Sequence, residues 1–158
     1  MYLTIRPAAM ADVGVITGFN AALALETEQV RLDAARLEAG VCALLADPAK
    51  GFYVLAEIED RVVGQTMITY EFSDWRNGVF WWLQSVYVEA AFRGRGVFGR
   101  LYRHLEDLAR AEAGVCGLRL YVERANTRAQ ETYLSLGMRP SGYQLFELDF
   151  VIRRSTEN

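Results

Sequence analysis

Three strand-like segments lie one after another in the middle of the chain, and they constrain the possible fold more than any other feature. Residues 52–58, 62–72 and 79–88 are rich in Val, Ile, Phe, Tyr and Trp, and short polar connections separate them. Residues of these types favour strands, and strands joined by such short connections pair as antiparallel neighbours. The middle of the chain therefore predicts an antiparallel meander.

Helical periodicity surrounds this meander. Before it, a short strand precedes two segments in which apolar residues recur at steps of three and four, and after it helical and strand-like segments alternate. In order, the flanking elements are a strand at 3–6, helices at about 9–25 and 32–46, a helix at about 96–113, a strand at 118–122, a helix at 127–136 and a final strand at 143–152. We predict one domain over residues 1–158, of the mixed α/β class, with the order β-α-α-β-β-β-α-β-α-β.

Composition excludes several kinds of partner. The 158 residues include 20 acidic and 17 basic ones, for a formal net charge of −3, so a broad basic surface for a nucleic-acid backbone is not expected. No apolar run reaches the roughly 20 residues that span a bilayer, and residues 1–7 do not resemble a signal peptide. We therefore expect a cytoplasmic protein that binds neither nucleic acid nor membranes.

Cysteine and histidine are too few and too scattered to suggest a metal site. Cys42 and Cys116 lie far apart without a CxxC spacing, and His104 is the only histidine. Structural and catalytic zinc sites need clusters of such ligands. The sequence predicts two reduced thiols and no bound metal.

A glycine-rich turn at residues 93–99 is the strongest candidate for a binding site. It reads Arg-Gly-Arg-Gly-Val-Phe-Gly and separates the predicted strand 79–88 from the predicted helix that follows. Glycines let a ligand approach the main chain closely, and the first amides of a helix have no acceptor within the helix. Together with the helix dipole, such amides bind anions such as a diphosphate. The residues predicted to bind it are Arg93, Gly94, Arg95, Gly96, Val97, Phe98 and Gly99.

The same turn also satisfies the dinucleotide fingerprint G-x-G-x-x-G, and Glu123 stands near the end of the next strand. Three observations disfavour a dinucleotide-binding oxidoreductase. Residues 89–93 separate the strand from the first glycine, whereas the Rossmann turn is tight. An antiparallel meander precedes the turn, and too few residues follow it for the second half of a dehydrogenase. The oxidoreductase is therefore the less favoured alternative.

Two motifs resemble the GNAT superfamily of N-acetyltransferases. Residues 93–96 match the first four positions of the family signature R/Q-x-x-G-x-G/A, although the sixth position is Phe98 and the next glycine is Gly99. Residues 126–137 match N-x-x-A-x-x-x-Y-x-x-x-G, with Met138 in place of the family's aromatic residue. Both motifs stand in the family's order and on the expected elements, and the resemblance extends to the opening residues 5–8.

The resemblance implies the acyl-CoA N-acyltransferase fold, in which the strands corresponding to 84–88 and 118–122 splay apart. In the family, acetyl-CoA lies in that gap, with its pantetheine along the strand formed here by Val86, Tyr87 and Val88 and its diphosphate on the glycine-rich turn. A main-chain amide of the same strand polarises the thioester carbonyl. Asn126 is a good N-cap residue and is also expected to hydrogen-bond to the cofactor.

The resemblance further implies that Tyr133 is the general acid. A tyrosine hydroxyl has an ordinary pKa of about 10, so it carries a proton that it can donate to the departing thiolate. The base that accepts the proton of the amine is not singled out. The candidates are Glu71, Asp74, Glu89, Glu123 and ordered water. Gln84 stands where polyamine and thialysine acetyltransferases have a glutamate, and an amide cannot act as a base.

The implied acceptor is a primary amine of a small molecule or a peptide. The residues expected to contact it are Glu71, Trp75, Trp82 and Gln84, and indole rings suit an ammonium through cation–π contact. The rival hypothesis is a GNAT-like module that binds acyl-CoA as a sensor without turnover. The resemblance and the apolar segment 145–152 also favour a homodimer.

Overall fold

The computed structural model describes residues 2–153, which contain five strands and four α-helices. The elements are β1 (Leu3–Pro7), α1 (Val13–Glu28), α2 (Ala34–Ala46), β2 (Phe52–Ile58), β3 (Arg61–Ser73), β4 (Gly78–Val88), α3 (Val97–Ala111), β5 (Val115–Leu120) and α4 (Thr127–Ser135). Short 3₁₀ turns precede α1 and α3. Within the described residues, no helix is both long and apolar enough to cross a membrane.

The five strands form one mixed sheet in the order β1-β2-β3-β4-β5. The first four strands pair with antiparallel neighbours, which confirms the predicted meander, whereas β5 lies parallel to β4. A parallel neighbour needs a crossover connection, and α3 provides it. As a result, α3 begins just after the carboxyl end of β4.

Helices cover both faces of the sheet. Gln65 on β3 is hydrogen-bonded to Asn20 of α1, whereas a Cβ added to the adjacent Gly64 would lie 3.2 Å from the side chain of Val97 on α3. Because neighbouring residues of a strand point to opposite faces, α1 and α3 lie on opposite sides of the sheet. The buried residues on the α1 side include Ile16, Val41, Leu44, Tyr53 and Leu55, and α3 contributes Val97, Leu101 and Leu105.

β5 begins earlier than the sequence predicted. The prediction placed this strand at 118–122, but its parallel register with β4 starts beside Val79, whose N–H donates to the Gly114 carbonyl at 2.7 Å. A Cβ at Gly117 would lie 2.7 Å from a ring carbon of Phe80. Glycine is therefore needed where the two strands approach, and a glycine inside a strand weakens the local strand signal.

The chain divides into two compact units, one ending at Tyr121 and the other beginning at Val122. In the second unit, α4 agrees with the predicted helix at 127–136. Ala129, Tyr133 and Leu136 are half-buried, as a helix with one packed face requires. The single domain over residues 1–158 stays a prediction.

The predicted strand at 143–152 was wrong, since no described residue after 135 belongs to a strand or helix. Phe146, Leu148 and Phe150 would form the apolar face of such a strand, yet their side chains are 88%, 80% and 87% exposed. A strand needs a neighbouring strand for its main chain and a second surface for its apolar face. Alternation in the sequence indicates the apolar face but not whether a partner for it exists.

Candidate functional site

β4 pairs with β5 along only part of its length. The parallel register covers Val79 to Leu83 of β4, so residues 84–88 have no partner on β5. On its other edge β4 stays paired with β3 as far as Val88. An open edge at residues 84–88 agrees with the gap that the sequence resemblance implied, although β5 ends at Leu120 and not at the predicted residue 122.

The main-chain groups of Val86 and Val88 point to the unpaired edge of β4. Glu89 N–H donates to Val63 on β3 at 2.8 Å, and successive main-chain groups of a strand point to alternate edges. In agreement with this direction, the Val88 carbonyl accepts a hydrogen bond from Arg93 Nε at 2.8 Å. This edge can therefore offer main-chain hydrogen bonds to an extended ligand.

A β-bulge bends β4 where its pairing with β5 ends. Gln65 pairs with Tyr87 and Met67 with Gln84, so a single residue of β3 lies opposite two of β4. One of the two is Ser85, whose φ of +50° is uncommon for any residue but glycine. Bulges of this kind redirect the main chain and often lie beside functional sites.

The glycine-rich turn forms the start of α3. Gly94 and Gly96 have φ values of +75° and +78°, which glycine adopts without strain. Gly96 is the N-cap of α3, and the helix has neither a side-chain cap nor an acidic residue in its first turn. The positive end of the helix dipole is therefore not neutralised by the helix's own side chains. These features fit a diphosphate.

The side chains of the turn mostly pack against the protein itself. Val97 is 2% exposed beneath the turn, and the ring of Phe98 lies 6.3 Å from that of Tyr102. The Arg95 guanidinium lies 5.5 Å from the centre of the Phe92 ring. What the turn can offer a ligand is therefore chiefly its main chain.

Arg93 connects the turn to α1. Its Nη2 forms an ion pair with Glu26 at 2.7 Å, and its guanidinium lies 5.3 Å from the centre of the Tyr87 ring. The Tyr87 hydroxyl also donates to Glu26, at 3.3 Å, and burial together with the Glu26 charge raises the pKa of this hydroxyl. Glu26 was not predicted as a site residue, because one acidic residue near a helix end looks like any surface charge.

Glu71 and Trp82, two of the residues predicted to contact an acceptor, are in contact with each other. Trp82 Nε1 donates to Glu71 Oε1 at 3.3 Å, and Arg119 of β5 forms an ion pair with the same oxygen. The ring of Tyr121 lies 4.5 Å from that of Trp82. We call these four residues the acidic–aromatic cluster. Arg119 and Tyr121 were missed because only the pairing of β5 with β4 places them there.

The other two predicted acceptor residues form their hydrogen bonds with residues outside this cluster. Gln84 is half-buried, and its Nε2 donates to Thr69 Oγ1 at 2.7 Å. Trp75 is 83% exposed on the hairpin turn between β3 and β4, where its main-chain N–H donates to Asp74 Oδ1 at 2.9 Å. The structure does not bring Trp75 together with Trp82, because the hairpin turn exposes it to solvent.

Two of the carboxylates considered as bases are held in ion pairs. Glu71 is paired with Arg119, and Glu89 with Arg61. Either carboxylate would have to give up its ion pair in order to accept a proton. The geometry therefore does not favour these two as the base.

In the second unit, Asn126 is the N-cap of α4 and Tyr133 lies within this helix. Asn126 Oδ1 accepts the Ala129 N–H at 3.1 Å, which confirms its role as N-cap. Tyr133 is half-buried, and burial raises the pKa of its hydroxyl. The hydroxyl therefore keeps its proton at and above neutral pH, as a general acid must.

Cysteine and histidine form no cluster in the described part of the chain. Cys42 and Cys116 are free, half-buried thiols. Within residues 2–153, no group of three or more His, Cys, Asp or Glu side chains could hold a metal ion.

Known families and structures resemble this chain over most of its length. The model of the Acetyltransferase (GNAT) family matches residues 19–138. No curated protein sequence matches the chain significantly. A solved structure, a possible acetyltransferase from Clostridium difficile 630, is 43% identical, with a TM-score of 0.87 over 96% of this chain and 100% of that one.

Two more distant structures share the fold. The structure of AAC(6')-Iy in complex with the bisubstrate analog CoA-S-monomethyl-acetylneamine is 16% identical, with a TM-score of 0.77 over 96% of this chain and 100% of that one. A predicted acetyltransferase with acetyl-CoA from Clostridium acetobutylicum is also 16% identical, with a TM-score of 0.76 over 94% of this chain and 96% of that one.

Proposed function

Since the chain belongs to the GNAT family of acetyltransferases, which use acetyl-CoA, we propose that it acetylates a primary amine of a small molecule or a peptide. One observation carries this proposal. The unpaired edge of β4 at residues 84–88 leads within a few residues to the uncapped, glycine-containing start of α3. An edge that offers main-chain hydrogen bonds, followed by an anion site, suits a ligand with an amide-bearing arm and a diphosphate.

The residues that would hold acetyl-CoA follow from this arrangement. Main-chain groups of Val86 and Val88 on the unpaired edge bind the pantetheine amides. The main-chain amides of residues 94–99 bind the diphosphate, with the positive φ of Gly94 and Gly96 setting their direction. Asn126 adds a hydrogen bond while it caps α4.

Different groups of the chain carry out the separate steps of acetyl transfer. Acetyl-CoA supplies the acetyl thioester. A main-chain amide beside the β4 bulge donates to the oxygen on which negative charge develops, a kind of contact that contributes about 2.7 to 4 kcal/mol in other acyl-transfer sites. Tyr133 donates its proton to the leaving thiolate. Asp74, Glu123 or ordered water accepts the proton of the amine, since Gln84 cannot and Glu71 and Glu89 are in ion pairs.

The acidic–aromatic cluster is the proposed acceptor site. Arg119 and Trp82 both contact Oε1 of Glu71, which leaves Oε2 for the ammonium form of an arriving amine. The indole of Trp82 and the ring of Tyr121 offer cation–π contact to the same charge.

Glu71→Gln should raise the KM for the amine about tenfold and change kcat less than about twofold, because only acceptor binding is weakened. The substitution removes an attractive charge and leaves Arg119 uncompensated, which repels a cation. Glu106→Gln, which breaks the 2.7 Å ion pair with Arg110 on α3, is the matched control and should leave both constants unchanged. A large fall in kcat for Glu71→Gln would instead assign Glu71 to the chemical step.

The proposed reaction is tested by measuring thiol release from acetyl-CoA with a panel of polyamines, amino acids, aminoglycosides and peptide N-termini. Calorimetric binding of CoA is measured in parallel on the same protein. Turnover with at least one amine supports the acetyltransferase. Tight CoA binding without turnover on any amine would instead support the acyl-CoA sensor.

We also propose that the protein is a homodimer formed through residues 143–152. Phe146, Leu148 and Phe150 alternate with acidic residues along this segment and are almost fully exposed. Buried aromatic side chains each remove about 150–250 Å² from water, so a few of them supply much of the roughly 800 Å² per partner of a stable interface.

Phe146→Glu combined with Leu148→Glu should convert the homodimer to a monomer, because the paired chains would bury four uncompensated charges. Light scattering coupled to gel filtration measures the change in mass. Glu147→Gln, which alters the polar residue between the two substituted positions, is the control and should stay dimeric. A wild-type mass of one chain at micromolar concentration would contradict the homodimer.

A further inference from the structure

A chain of buried polar side chains leads from α1 and β2 to the bulge in β4. Gln65 Nε2 donates to the Ser85 carbonyl at 3.1 Å and to Asn20 Oδ1 at 2.8 Å. Asn20 Nδ2 donates in turn to the Tyr53 hydroxyl at 2.9 Å. Gln65, Asn20 and Tyr53 are 0%, 7% and 3% exposed. The bulge is therefore linked to two other elements by side chains that solvent does not reach.

The Ser85 carbonyl determines the direction of every hydrogen bond in this chain. A carbonyl only accepts, so the amide end of Gln65 that faces it must be the nitrogen. The same nitrogen then donates to Asn20 through the asparagine oxygen, which leaves the asparagine nitrogen facing Tyr53. Exchanging the nitrogen and oxygen positions of either side-chain amide would bring two acceptors or two donors face to face. The network thus has one arrangement, and that arrangement holds Ser85.

The amide at position 65 leaves one of its own polar atoms unpaired. Gln65 Oε1 is buried and has no hydrogen-bond partner among the described residues, and the same holds for Thr66 Oγ1 beside it. A buried polar atom left unpaired destabilises a fold, whereas an apolar side chain of similar shape does not. An apolar residue could not reproduce the hydrogen bonds of Gln65 to Asn20 and to the Ser85 carbonyl, and only the second of these reaches the bulge.

We propose that Gln65, held in place by Asn20, is a positioning residue for acetyl transfer. Ser85 has the left-handed φ of +50° that a serine adopts only when its surroundings impose it. By binding the Ser85 carbonyl, Gln65 keeps the bulge in the conformation that aims the amide of Val86, which belongs to the same peptide unit, at the thioester oxygen. This inference rests on the proposed function for its catalytic consequence, but the restraint on the bulge can be measured without any ligand.

The test compares Gln65→Met, which keeps length and volume but removes the donor, with Met67→Leu. Met67 lies two residues further along the same strand, has no part in the network, and its exchange for leucine conserves volume. Amide hydrogen exchange is measured by NMR on the ligand-free proteins. Gln65→Met should speed exchange at residues 84–88 about tenfold and leave residues 79–83 within about twofold of wild type, because only the bulge is released.

Kinetics provide the second measurement. Gln65→Met should lower kcat by about 10- to 100-fold and change the KM for acetyl-CoA by less than about threefold, since the bulge acts on the oxygen that becomes charged. Adding Ser85→Gly to Gln65→Met should restore part of kcat, because glycine adopts a positive φ without outside support. A packing defect would not be repaired by that change. If Gln65→Met does not fold, Asn20→Ala loosens the same contact and should act in the same direction.

Several results would overturn the proposal. One is unchanged exchange at 84–88 in Gln65→Met, whatever happens to activity. Another is a loss of kcat that follows thermal instability and that Ser85→Gly does not relieve. If wild type acetylates no amine, the proposed function fails, and faster exchange at 84–88 would still establish that Gln65 restrains the bulge.

Discussion

Tyr133→Phe should lower kcat by about 100-fold or more and leave the affinity for CoA nearly unchanged. The substitution keeps the ring that packs α4 but removes the proton that neutralises the leaving thiolate, and loss of a general acid has an effect of this size. Burial raises the pKa of the Tyr133 hydroxyl, so the acid form persists above the ordinary tyrosine pKa of about 10. Loss of this acid should therefore not limit the wild-type rate at any pH below about 10.

The matched control is Tyr143→Phe, which removes the same hydroxyl from a side chain that is 75% exposed in the same unit. It should leave kcat unchanged. Single-turnover measurements with saturating acetyl-CoA separate the chemical step from product release. An unaltered rate for Tyr133→Phe under those conditions would remove Tyr133 from the mechanism.

Gly96→Val should abolish detectable CoA binding and leave the fold intact. Gly96 has a φ of +78° at the N-cap of α3, a conformation that a β-branched residue strongly disfavours. The valine would shift the amides that follow and place methyl groups in the space above the turn, where a Cβ meets no protein atom within 4 Å. We expect at least a 100-fold loss of affinity by calorimetry, because several charge-assisted hydrogen bonds depend on these amides.

Gly114→Val provides a matched control for the backbone strain. Gly114 follows the other end of α3, has a φ of +88°, and a Cβ there also meets nothing within 4 Å. Both variants should lose a similar amount of stability, of the order of 1–2 kcal/mol, in chemical denaturation. Only Gly96→Val should lose CoA binding. Equal affinities in the two variants would mean that the turn at 93–99 is not the diphosphate site.

The sequence predicted those parts of the fold that local patterns determine. β2, β3 and β4 were predicted within a residue of their ends, because β-branched and aromatic residues fill them and polar turns separate them. The start of β5 and the strand at 143–152 were wrong for related reasons. Gly117 belongs to β5, where Phe80 packs against it. Residues 143–152 form no strand, although apolar and polar residues alternate there. Both outcomes depend on neighbours that the local sequence does not specify.

In the candidate site, too, some features were predictable from the local sequence and others were not. The glycine-rich turn was predictable, since an N-cap glycine with positive φ serves a purpose that one stretch of sequence can show. The ion pair of Glu26 with Arg93 and the contact of Gln65 with Ser85 join residues 67 and 20 positions apart. Neither has a local signature. A polar Asn20 among buried positions of α1 and a Gln65 inside an apolar strand were the only visible hints.

The proposed reaction depends most on where acetyl-CoA binds, and a crystal structure of the protein with acetyl-CoA tests this directly. We expect the diphosphate on the main-chain amides of residues 94–99 and the pantetheine along the edge of β4 beside Val86 and Val88. Electron density for the cofactor that leaves both the turn and this edge without contacts would contradict it.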